Sequence, residues 1–202
     1  MNSSAPWLIV GLGNPGAQYA DTRHNVGHMT VQLLAERAGN TMTSHRASST
    51  HTADIRLGTL PGGIPGPRVT LAISDSYMNT SGGPISRLMN YLNIGPEQLL
   101  VIHDDLDLPA HELRLKKGGG EGGHNGLKSL TQHLGTRDYF RLRIGIGRPP
   151  GRQDPAAYVL ARLNVRDRAE MNVTIEQAAD VVQDMVLHGF VETQQKLHTA
   201  RS

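Results

Sequence analysis

Apolar residues fall into short strand-like runs and longer helix-spaced series that alternate along the chain. Leu8-Ile9-Val10 is compact and rich in β-branched residues, which predicts a buried strand. The next stretch, Gly11-Leu12-Gly13-Asn14-Pro15-Gly16, holds too much glycine and proline for a regular element. Val26, Met29, Thr30, Leu33 and Leu34 then recur at helical spacing, and Ala38-Gly39 supplies the stop. His51 to Leu60 alternates weakly, Arg68 to Ser74 reads as a firmer strand, and Pro61 to Pro67 between them predicts a surface loop. Ser81 is placed to cap a helix carrying Ile85, Leu88, Met89 and Leu92, with Pro84 in its first turn.

The second half repeats the alternation. Leu99-Leu100-Val101-Ile102 is the clearest core strand, and it runs into His103-Asp104-Asp105-Leu106-Asp107-Leu108-Pro109. Glu112 to Lys116 alternates as a strand, and Gly118 to Gly126 packs six glycines into nine residues, a loop that lets another molecule approach the backbone and that is free to move. Leu127, Leu130 and Leu134 follow Asn125 as a helix, and Arg141 to Gly147 is the last strand. From Arg166 onward, Met171, Ile175, Ala178, Val182, Met185 and Val186 mark a long amphipathic helix, followed by a frayed tail. In an open α/β sheet the strand-to-helix junctions lie at the carboxyl ends of strands, where ligands bind.

Composition narrows the class. A chain of 202 residues is most simply one domain, 1–202, with a short N-terminal extension at 1–6 and a partly helical C-terminal tail at 190–202. With no Cys there are neither disulfides nor thiolate ligands, which fits a reducing cytoplasm. The first six residues lack an apolar signal core, and no later run approaches membrane-spanning length. Charge is nearly balanced overall but unevenly spread. Arg114 to Arg152 carries nine basic residues against Glu121 and Asp138, net +7, which leaves −5 for the rest of a chain of +2. That asymmetry points to a localised positive face and a polyanionic partner.

The candidate chemistry sits in the loops. Gly11 to Gly16 matches the dinucleotide-binding spacing, but its context fails, because Pro15 and a polar segment delay the helix and the acidic residue about 20 positions on, Glu36, falls within it. His24, at a helix entrance, meets the positive end of a dipole that disfavours imidazolium. Two adjacent acids at a strand end, Asp104 and Asp105, serve either to bind a metal or to orient a histidine. The metal reading has His24 and His28, four apart on one helical face, in its favour, and the lack of any H-E-x-x-H pattern against it. No nucleophile elbow is present. What remains is one His, one Asp and three Asn, a set suited to water attack on an ester. His24 would act as base, Asp104 would hold the imidazole, and carboxamides would stabilise an oxyanion.

These motifs together closely resemble bacterial-type peptidyl-tRNA hydrolase. The resemblance spans Leu8 to about His198 and rests on five ordered stretches: Gly11 to Gly16 with Tyr19 and Thr22 to Asn25, Tyr77 to Gly82, His103 to Pro109, Gly118 to Lys128, and Arg141 to Gly147. It implies an α/β fold, a single-domain twisted mixed β-sheet flanked by α-helices. It also implies hydrolysis of the ester joining a peptide to the 3′ ribose of tRNA by a cytoplasmic monomer that needs no cofactor and no metal. The family's catalytic residues fall on His24, Asp104 and Asn14, and its peptide and 3′-end contacts on Tyr19, Met78, Asn79 and Asn125. Its contacts to tRNA phosphate fall on Lys116 and Arg143, and charge and proximity add Lys117 and Arg114. The rival readings are a non-catalytic RNA-binding protein and a nucleotide-cofactor enzyme built on Gly11 to Gly16.

Overall fold

A computed structural model describes residues 6–200, so the expected N-terminal extension, apart from Pro6, and the last two residues of the tail lie outside the described residues. The strands are β1 (Trp7–Gly11), β2 (Thr43–His45), β3 (Thr50–Arg56), β4 (Thr59–Leu60), β5 (Ile64–Pro65), β6 (Arg68–Ser74), β7 (Leu99–Asp105), β8 (Leu113–Lys117) and β9 (Phe140–Gly145). The helices are α1 (Val26–Arg37), α2 (Gly82–Leu92), α3 (Asn125–Leu134), α4 (Pro155–Leu160), α5 (Val165–His188) and α6 (Phe190–Thr199). Seven strands form one mixed sheet in the order β2-β3-β6-β1-β7-β9-β8. The inner four, β6, β1, β7 and β9, run parallel, while β3, β2 and β8 pair antiparallel at the flanks.

Both faces of the inner strands are covered, which is why they read as continuous apolar runs rather than as alternation. Within β1, Ile9 packs with Leu34 of α1 and Ile175 and Val182 of α5, whereas Leu8 and Val10 pack with Ile85 and Leu88 of α2 and Leu127 and Leu130 of α3. Truncating any one of these strand residues to alanine removes a buried branched side chain, a loss of about 2–5 kcal/mol. Gly11 and Gly27 let α1 lie directly on β1, since a Cβ on Gly11 would stand 2.1 Å from the Gly27 carbonyl oxygen. That packing, not a nucleotide, accounts for the first glycine of the run. The chain leaves β1 and β6 toward opposite faces of the sheet, so a crevice opens at their carboxyl ends. No helix among the described residues is long and apolar enough to cross a membrane.

Three local expectations change. The Pro61 to Pro67 spacer is not loop throughout, because β5 pairs with β4 as a small antiparallel ribbon. Ser81 does not cap α2 with its side chain. A 3-10 turn (Met78–Thr80) already winds into the helix, and the Ser81 hydroxyl donates instead to the carbonyls of Met78 and Tyr77. The tail is helical over α6, in line with the partly helical expectation, and it is held by Phe190 packed on Phe140 and by Gln194, which donates to the Leu115 carbonyl. Arg141 does not belong to a solvated basic face. It is buried, donating to the carbonyls of Gly119 and Gly120 and so anchoring the glycine loop that the sequence left free to move.

Candidate active site

Asp104, near the end of β7, is the centre of the site. Its side chain is 2% exposed, and each carboxylate oxygen meets a different histidine: Oδ2 lies 2.8 Å from His24 Nδ1 and Oδ1 lies 2.8 Å from His124 Nε2. His24 rides on a 3-10 turn (Arg23–Asn25) that leads into α1. That turn is tied down from outside, since Arg23 pairs with Asp167 of α5 and lies over the Tyr158 ring of α4. His124 caps α3, its Nδ1 accepting from the backbone N–H groups of Gly126 and Leu127.

These contacts fix the protons. His124 Nδ1 is an acceptor, so its proton is on Nε2, which donates to Asp104. Burial alone would push the Asp104 carboxyl up, but the two histidines and their hydrogen bonds hold it well below the usual carboxylate range, so it is ionised. His24 Nδ1–H therefore donates to it, and Nε2 is left as the ring nitrogen without a partner among the described residues. Burial by itself would lower the His24 pKa, yet the charge and hydrogen bond of Asp104 outweigh it and raise the value above 6.5. The helix-dipole expectation is thus overridden, because a full charge in contact exceeds a partial one at a helix end.

The three side chains present donor atoms within 4.8 Å of one another, a spacing that could hold a metal ion. The hydrogen bonding argues for another use. A cation on His124 Nε2 would drive the proton onto Nδ1, against two backbone N–H donors. His28, which the metal reading paired with His24, is not one of the three and lines a different groove. It is packed against Gly13 and buried, and burial lowers its pKa to about 4.

Around the triad opens a cavity of about 510 Å³, and Asn14, His24, Met78, Asn79, Asp104 and Asn125 all line it. Asn14 is braced by Asn25, whose carboxamide accepts from the Asn14 N–H and donates to its carbonyl. The Asn14 Oδ1 accepts from the Met78 N–H at 2.7 Å, which leaves its own N–H groups for the cavity. The carboxamides of Asn79 and Asn125 have no partner among the described residues. Gly126 makes the close approach possible, as a Cβ there would lie 2.5 Å from the Met78 sulfur. Tyr19 stands apart from the cavity wall, packed edge-on against Tyr77. The apolar side of the cavity comes from α4, through Pro155, Ala156, Val159 and Leu160.

The basic residues divide. Lys116 and Arg143 line a small polar cleft beside the glycine loop that shares His103 with the main cavity. Arg143 Nε donates to Asp105 at 2.8 Å. Arg114 stands across from Arg143 in the sheet but bonds to Glu112. Lys117 turns to the other sheet face, where its ammonium lies over the Phe140 ring. With Arg114 on Glu112, Arg143 on Asp105 and Arg148 on Asp107, three acids outside the segment take its +7 down to +4.

Sequence reasoning missed His124, Asn25 and α4. His124 lies within the glycine loop, and its one local signal is its place immediately before the first helical residue. The nucleotide-cofactor reading finds no support, because α1 opens at Val26, well past the glycine run, and Glu36 is exposed near the far end of that helix.

A family model described as peptidyl-tRNA hydrolase matches residues 8–202. A peptidyl-tRNA hydrolase of Kineococcus radiotolerans is 53% identical over 195 residues, covering 96% of this chain and 98% of that protein. One from Frankia alni is 50% identical over 193 residues, covering 96% and 94%. A crystal structure of peptidyl-tRNA hydrolase from Acinetobacter baumannii superimposes with a TM-score of 0.84 at 34% identity, over 95% of this chain and 94% of that one.

Proposed function

The chain belongs to the peptidyl-tRNA hydrolase family, and from that premise we propose that it hydrolyses the ester between a peptide and the 3′ ribose of tRNA by general-base activation of water. The observation that carries the mechanism is the saturation of Asp104 by two histidines, which leaves His24 Nε2 as a basic nitrogen on a cavity lined by three asparagines.

In this mechanism His24 Nε2 takes a proton from water as the water oxygen bonds to the ester carbonyl carbon. Asp104 keeps Nδ1 protonated and stabilises the imidazolium that forms. The N–H groups of Asn14, oriented by the Asn14 Oδ1 to Met78 contact, donate to the developing oxyanion. Collapse breaks the bond to the 3′ oxygen, which takes the proton from Nε2, and the products are a peptide carboxylate and tRNA with a free 3′ hydroxyl. Asn79 and Asn125 hydrogen-bond the acylated amide next to the ester. An aminoacyl-tRNA would instead bring a charged ammonium out of water with no compensating partner. Met78 flanks this end of the substrate, while Lys116 and Arg143, with Arg114 at the margin, register the tRNA through phosphate. Tyr19, off the cavity wall, and Lys117, on the other sheet face, are not placed to share these roles. On this reading the protein works as a cytoplasmic monomer with one hydrolase domain.

Incubation with peptidyl-tRNA should release free tRNA. His24→Ala should retain the melting temperature of the parent and lose about 10²- to 10⁴-fold in kcat. Near-normal turnover in that variant would remove His24 as the base.

A further inference from the structure

A second groove, of about 390 Å³, lies across the Asn14 ridge from the catalytic cavity, at the carboxyl ends of β1 and β6. Asn14 belongs to both walls. The rest of the groove includes His28 and Gln32 of α1, His51 of β3, and Ser74 and Asp75 at the end of β6. We infer that this groove receives the peptide of the substrate, carrying it away from the ester after it passes Asn14. The inference rests on the hydrolase reading above.

Charge separates the two directions away from the scissile bond. Toward β9 and β8, the cleft beside the catalytic cavity holds Lys116, which has no carboxylate partner among the described residues, and Arg143, which shares Asp105, while the two other acids of that wall, Asp107 and Glu121, are met by Arg148 and Arg137. Toward β6 and β3, no lysine or arginine lines the second groove among the described residues, and its acid, Asp75, is bonded to His51. A nucleic acid strand laid there would meet a carboxylate and no cation. A peptide of unspecified sequence asks for something else: neutral donors and acceptors for its backbone and room for varied side chains. The exposed Gln32 carboxamide, the Pro15 carbonyl and the Gly16 N–H supply the former. Sheet order therefore matches substrate order, with a polyanion on one side of Asp104 and a peptide on the other. His28 adds a polar floor, since its Nε2 is buried without a partner and burial keeps the ring neutral.

The test compares kcat/KM for N-acetyl-aminoacyl-tRNA and for tetrapeptidyl-tRNA on the same tRNA, in the parent, His51→Ala and the groove-filling Gln32→Trp. Gln32 is exposed on α1, so the larger side chain is compatible with folding, and melting curves verify this. The parent should favour the longer substrate about tenfold, and both variants should bring that ratio to within about twofold. The inhibition constant of deacylated tRNA should stay the same in all three proteins. A parent ratio near one, or a ratio that survives both substitutions, would overturn the groove while leaving the hydrolase reading in place. Weaker inhibition by deacylated tRNA in Gln32→Trp would overturn it in favour of a nucleic acid occupant. Failure of the parent to cleave either substrate would remove the hydrolase reading, and the groove's assignment with it.

Discussion

Two aspartates stand at the carboxyl ends of β6 and β7, on either side of β1, and each meets a histidine ring. At β6, Asp75 takes His51 from the adjacent strand β3, with side chains 35% and 43% exposed. At β7, Asp104 takes His24 from a turn 80 residues away in sequence, and the exposures fall to 2% and 13%. The chemical pair is the same and its consequences differ. Water screens the first pair, so the attraction is worth roughly 0–1 kcal/mol. The second pair is sealed, and His124 closes the remaining carboxylate oxygen. That leaves Asp104 no alternative partner, and the imidazole has one orientation. Burial and a saturated carboxylate, rather than the pairing of His with Asp, distinguish the site that can do chemistry.

The largest effect should follow from breaking the sealed pair. Asp104→Asn keeps the shape but offers one oxygen and one NH2 where two acceptors are needed. Either His24 loses its tautomer or His124 loses its acceptor, and kcat should fall by about 10³- to 10⁴-fold in a single-turnover assay. A third histidine then sharpens the comparison. His28 is buried like His24 but has no carboxylate, and its pKa drops to about 4. Between pH 6.5 and 4 the unfolded chain binds a proton there that the folded chain does not, so stability is present above 6.5 and is lost as pH falls toward 4. Between pH 7 and 5 that loss is on the order of 2 kcal/mol. Denaturant melts of the parent and of His28→Met should differ by that amount in their pH dependence. The smallest effect should come from Asp75→Asn, a change of about 1 kcal/mol or less in unfolding free energy. A large loss of stability there would mean that the exposed pair is not screened as its surroundings imply.

Much of this was legible in the chain. The run Arg68 to Ser74 is β6 as expected, Leu8 to Val10 and Leu99 to Ile102 mark β1 and β7, and the helix-spaced residues mark α1, α2 and α5. Strong periodicity over a buried face survives translation into structure. What failed lacked such a signal. β2 is three largely exposed residues that exist by pairing with β3, and α4 is a six-residue helix between prolines and a turn. Arg141 looked like one more surface cation, because no local rule shows that loop carbonyls 21 and 22 residues upstream will capture its guanidinium. The candidate site divides in the same way. His24, Asp104 and the three asparagines stood out as polar residues at strand ends, but the role of His124 depends on a carboxylate 20 residues away that only folding brings to it.

The pH dependence of kcat/KM tests most directly whether His24, held by Asp104, is the base. The base must be neutral to accept a proton, so activity should rise with pH through its pKa. The rising limb of the parent should have its midpoint above 6.5, and in the residual activity of Asp104→Asn it should move to lower pH, because burial then acts without the opposing carboxylate. A limb at the same pH in both proteins, or a flat profile from about pH 5 to 8, where an unperturbed or raised histidine titrates, would contradict the account.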